Sequence, residues 1–94
     1  MSASPEQAGT TLQVVLAADL HARPAGQVAQ VAATCEGAVS LTADGRSVDA
    51  RSVLAVMGLG ARAGETVTVW ADGPDAAAAA AAIAQVLSAA SVSH

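Results

Sequence analysis

Alanine fills 26 of the 94 positions, Phe and Tyr fill none, and Trp70 is the single aromatic residue. Hydrophobic residues make up 53% of the chain, but each brings little bulk. A core of Ala, Val and Leu must therefore be close-packed, with shape matching in place of volume. Ninety-four residues support one such core and not two. The same composition excludes classes of function. Surfaces that stack unpaired bases need aromatic rings, which are missing here. The four basic residues are all Arg, and with eight acidic residues they give a net charge of −4. Binding to a phosphate backbone needs clustered positive charge, so no nucleic-acid partner is expected.

Residues 1–9 read as a disordered leader, residues 10–91 as a single domain and residues 92–94 as a tail. The leader has neither a basic stretch nor an apolar one, so it is not a secretory signal. Ala76 to Leu87 is too short for a bilayer span, so no membrane insertion and a cytoplasmic location are expected. Cys35 has no cysteine partner for an internal disulfide, and no Cys/His cluster has zinc spacing. No metal and no cofactor are expected.

Leu12, Val14 and Leu16 alternate with Thr11, Gln13 and Val15, the period of a strand with one buried face. A loop follows, then Pro24 in the first turn of a helix, where a missing N–H costs nothing. Ala25, Val28, Ala29, Ala32 and Cys35 recur at helical spacing until Gly37. Val39, Leu41 and Ala43 alternate up to Asp44-Gly45, a strong hairpin signal, and a polar strand returns over Arg46 to Asp49. Ser52 caps a short helix that runs to Leu59. Glu65 to Ala71 is a fourth strand, and Pro74 opens a long helix whose inward stripe is Ile83, Val86, Leu87 and Ala90. The order is β-α-β-β-α-β-α, which predicts an α+β fold with helices layered on one face of a mainly antiparallel sheet.

His21-Ala22-Arg23-Pro24 stands where the first helix begins. Unpaired backbone N–H groups and the helix dipole favour an anion there. An imidazole can act as a nucleophile, and an Arg two residues on offers several donors to a phosphoryl group. A plain loop histidine beside a solvated Arg fits the spacing equally well, so the residues alone leave both readings open.

The stretch LHARPAG, followed by DARSVLAVMGLGARAGETVTVWADG, resembles the histidine-containing phosphocarrier family, HPr, of the bacterial phosphoenolpyruvate:sugar phosphotransferase system. The similarity runs from about Thr11 to Leu87. It implies an open-faced β-sandwich, with four antiparallel strands covered on one face by three helices. It also implies that His21 is phosphorylated on its pros nitrogen, Nδ1, by enzyme I and passes the group to IIA domains of sugar permeases. Arg23 would then steady the phosphoryl group, and Pro24 would fix the helix start. Such a chain is a phospho-acceptor and donor, expected to be monomeric, rather than an independent enzyme.

Ser52 aligns with the family's regulatory serine, a substrate of HPr kinase/phosphorylase in many Gram-positive bacteria. Its phosphorylated form there engages a catabolite-control transcription factor. A helix cap needs no kinase, so Ser52 carries both readings. Val53, Leu54 and Met57 cannot all face inward beside Val56 and Leu59 on so short a helix. Together with Pro24 they are the expected partner-binding residues. The chain departs from the family pattern in two ways: Asp19 and Ala18 stand where Gly and a small polar residue are common, and Gln27, Gln30 and Ala33 stand where the first helix often carries basic residues. The Asp19 charge is expected to oppose a phosphoryl group on His21. A rival reading on the same fold is a regulatory binding module controlled through Ser52.

Overall fold

The computed structural model describes residues 9–89. Strand β1 spans Gly9–Val15, helix α1 Ala22–Thr34, β2 Val39–Ala43, β3 Arg46–Asp49, α2 Val53–Gly58, β4 Thr66–Asp72 and α3 Ala76–Ala89. The seven expected elements are all present and in the expected order. The expected leader lies outside the described residues except for Gly9, which pairs with Asp72 and begins β1. The expected tail and Ala90 also lie outside them.

Alternation along the strands sorts the sheet into a wet face and a dry one. Val14, Val39, Leu41, Val67, Val69 and Ala71 are buried, while Thr11, Gln13, Thr66 and Trp70 between them are exposed. The strands form one antiparallel sheet in the order β1-β4-β2-β3. Trp70 stands on the open face between Thr11 of β1 and Ser40 of β2. On the other face α3 packs against β1 and β4, and α1 packs against both α3 and α2.

Alanine makes this layering possible. Ala76, Ala79 and Ala80 of the seven-alanine run are buried with Ile83 and Leu87, while Ala77, Ala78 and Ala81 face outward. Ala25 and Ala32 do the same for α1 beside Val28. Helix α3 starts two residues later than Pro74. Gly73 to Ala76 instead form a turn, closed by the Ala76 N–H on the Gly73 carbonyl at 3.2 Å.

The hairpin between β2 and β3 turns at Asp44 (φ 53°) and Gly45 (φ 78°), the paired positive φ angles of a type I′ turn. Gly37 acts differently from the expected helix stop. Cys35 leaves α1 in an extended conformation, and Gly37 is needed because a Cβ there would strike the Asp72 backbone. The Asp72 carboxylate accepts the Ala38 N–H at 2.6 Å, and Arg51 Nη2 donates to the Cys35 and Gly37 carbonyls at 2.8 and 2.9 Å. Cys35 itself is a buried core residue whose Sγ lies 3.2 Å from Asp75 Oδ1. Burial pushes its thiol up from the usual range, and the Asp75 carboxylate adds to the effect.

Candidate functional site

The loop from β1 to α1 is held by the loop that precedes β4. Leu16 donates to the Glu65 carbonyl and Gly64 donates to the Leu16 carbonyl, both at 2.9 Å. Leu20 donates to the Ala61 carbonyl at 3.0 Å, and its side chain is buried. With that anchor in place, His21 becomes the N-cap of α1 in an extended conformation (φ −83°, ψ −171°). Its carbonyl accepts the first helical bond, from the Ala25 N–H at 3.0 Å, while its side chain makes no capping bond. The imidazole is therefore presented to solvent, with 75% of its side chain exposed.

Ala22, Arg23 and Pro24 fill the first turn. Arg23 is exposed and makes no ion pair among the described residues. Pro24 is buried, contrary to its expected place in a docking face. Its fixed φ and missing N–H suit the helix start, and its ring packs inward there. Asp19 stands beside the imidazole. One carboxylate oxygen, Oδ1, accepts the Ala63 N–H at 2.8 Å, and the other, Oδ2, lies 3.5 Å from Nε2 of His21. The carboxylate thus faces the nitrogen remote from Nδ1.

His21 lines an open depression of about 360 Å³ with Asp19, Leu20, Met57, Gly60, Ala61 and Arg62. Arg62 is the cation that sequence reasoning missed. Nothing in its local sequence marks it, because only the loop pairing brings it beside His21.

Helix α2 divides its apolar residues as its length requires. Val56 and Leu59 are buried and Val53 is half-buried, whereas Leu54 is 81% and Met57 37% exposed. Because α2 packs on α1, an apolar surface lies alongside the histidine. Beyond Arg23 in the first turn, the outward side of α1, with Gln27, Gln30 and Ala33 exposed, carries no charge. Ser52 is exposed and caps α2, its Oγ accepting the Ala55 N–H at 3.1 Å. Ser52→Ala is expected to destabilise the protein by about 1 kcal/mol, read as a lower urea midpoint at unchanged slope. An unaltered midpoint would show that the cap contributes nothing.

Among the described residues no helix is long and apolar enough to cross a membrane. No three His, Cys, Asp or Glu side chains among them gather as a metal site.

Known proteins resemble this arrangement along nearly all of its length. The family model described as PTS HPr component phosphorylation site matches residues 9–89. A phosphocarrier protein HPr from Cupriavidus necator is 45% identical over 56 residues, which is 60% of this chain and 63% of that relative. The aligned stretch thus falls short of two thirds of that protein. The crystal structure of an HPr from Bacillus anthracis superposes with a TM-score of 0.79 at 29% identity, covering 85% of this chain and 98% of that one. A crystal structure of Crh, the Bacillus subtilis catabolite repression protein described as a swapped dimer, gives 0.68 at 34% identity, covering 81% and 87%. The four-stranded antiparallel sheet with three helices is the architecture of these HPr structures. By the extent of that match, the chain belongs to the PTS HPr family of phosphocarriers.

Proposed function

We propose that this chain accepts a phosphoryl group on Nδ1 of His21 from phosphorylated enzyme I and hands it to IIA domains of sugar permeases. The observation that carries the reading is the exposed His21 imidazole at the start of α1, with Nε2 turned to Asp19 and Nδ1 left open. In the accepting step the Nδ1 lone pair forms the bond to phosphorus, and the bond from phosphorus to enzyme I breaks with its electron pair remaining on the enzyme. The first-turn N–H groups and the Arg23 guanidinium offset the phosphoryl charge. Transfer to a IIA domain reverses the sequence. Val53, Leu54 and Met57 supply an apolar surface that several partners can share, Met57 through its adaptable thioether. The reading brings with it a cytoplasmic setting and a single working domain over residues 10–91.

The test is incubation with enzyme I and phosphoenolpyruvate. One acid-labile phosphoryl group per chain is expected, and a bare chain beside a competent enzyme I overturns the proposal. A second reading rests on the exposed Ser52 hydroxyl and on the likeness to the catabolite repression protein. In it, HPr kinase/phosphorylase modifies Ser52 and the product binds a catabolite-control transcription factor. A phosphate adds about −1.5 to −2 charges beside the docking surface, and at a helix start it need not unfold α2. Incubation with that kinase and ATP, with Ser52→Ala as control, decides whether this branch exists. The pairing of His21 with Arg23 favours the carrier, since a pure regulator has no use for it.

A further inference from the structure

We infer that Asp19 is a positioning residue, whose carboxylate keeps the His21 proton on Nε2 and so leaves Nδ1 as the open nucleophile. The inference rests on the phosphocarrier reading and adds a residue to it. A neutral imidazole has one N–H, and the partner of each nitrogen decides which carries it. An ionised carboxylate only accepts, so a carboxylate facing Nε2 favours the Nε2–H form.

Three contacts fix the carboxylate in place. Its Oδ1 accepts the Ala63 N–H at 2.8 Å, from the far side of the paired loops. The Leu20 N–H holds the same two loops together through the Ala61 carbonyl at 3.0 Å. The His21 N–H donates to the Asp19 carbonyl at 2.8 Å, closing a tight turn that keeps the two side chains together. The gap from Oδ2 to Nε2 is 3.5 Å, and the broad χ2 torsion of His21 leaves the exposed ring room to turn toward the carboxylate.

The arrangement also answers the charge problem that Asp19 raises. When Nδ1 bonds to phosphorus, the ring becomes an imidazolium whose remaining N–H is on Nε2, against the carboxylate. The imidazole ring itself stands between the carboxylate and the phosphoryl oxygens. Asp19 therefore acts on the nearer positive charge of the ring more than on the farther negative charge of the phosphoryl group. When the group leaves, the Nδ1–P electron pair returns to the ring and the proton stays on Nε2.

Asp19→Asn gives the decisive test. The Asn oxygen can still accept the Ala63 N–H, which turns the amide NH₂ toward Nε2 as a donor and reverses the preference. Nitrogen-15 spectra of neutral His21 are expected to show the ratio of Nε2–H to Nδ1–H falling about tenfold from wild type, the span of one hydrogen bond of ordinary strength. Phosphoryl acceptance from enzyme I is expected to slow in step with the lost fraction of the Nε2–H form, by a smaller factor than the ratio itself, with circular dichroism unchanged. Asp19→Ala is expected to bring the ratio to that of a short histidine peptide. An unchanged ratio in the Asn variant overturns the inference, and so does an undiminished rate. The tautomer measurement needs no phosphoryl donor, so its failure is distinct from failure of wild type to be phosphorylated, which overturns the carrier reading.

Discussion

His21→Ala is expected to abolish the acid-labile phosphoryl adduct completely while leaving the fold intact. The two halves of this expectation have separate causes. Nucleophilic transfer needs a lone pair at Nδ1, and Ala has none to offer. Cys35 cannot substitute, because it is buried and its thiol is held in the protonated form. The fold survives because the imidazole caps nothing and has 75% of its side chain in solvent. Its contact with Asp19 is largely exposed and contributes no more than about 1 kcal/mol, so the thermal midpoint should move little. Phosphate counting after incubation with enzyme I, beside a melting curve, checks both halves. An adduct retained by the Ala variant would move the acceptor away from His21.

Leu41→Ala is expected to have the largest effect on stability. Leu41 is fully buried in β2, an inner strand, and pairs with Val48 on one side and Val69 on the other. Removing such a side chain costs about 2–5 kcal/mol, the lost transfer energy plus the cavity left behind. Rigid neighbours raise that figure, and its cross-strand partners Val48 and Val69 cannot swing into a void as Met or Leu would. Domains of this size hold about 5–15 kcal/mol in total, so the variant should melt at least about 10 °C lower. Leu54→Ala is the internal control: the same atoms are deleted from a residue that is 81% exposed, and the melting temperature should stay put. If the two variants melt together, the assignment of Leu41 to the core is wrong.

The contrast between these leucines shows what was legible in the chain. Alternation placed Leu41 inward because a strand repeats every two residues, and a neighbour's side decides its own. Asp44-Gly45 fixed the hairpin because few other residues accept two positive φ angles. Helix α2 was harder. Its surplus of apolar residues said that some must be outside, and only packing against α1 chose Leu54 and Met57. The histidine itself was legible through its motif, but its surroundings were not. Asp19 and Ala63 lie 44 residues apart, and their bond exists because the β1–α1 and α2–β4 loops are stitched together. The same stitching brings Arg62 to the depression beside His21. The burial of Pro24 was illegible for a related reason: its motif position indicates the helix start but not which side of α1 meets the core.

Trp70 gives the sheet a consequence for how this protein can be observed. With no Tyr or Phe in the chain, that indole is its only aromatic fluorophore. It sits opposite Thr11, four strand residues or about 13 Å along from the Val15–Thr66 pair where the strand runs on toward the His21 loop. Its emission will report the opening of the sheet and stay nearly blind to chemistry at the histidine. The molecule signals its unfolding in light, and the phosphoryl transfer proposed at His21 passes dark.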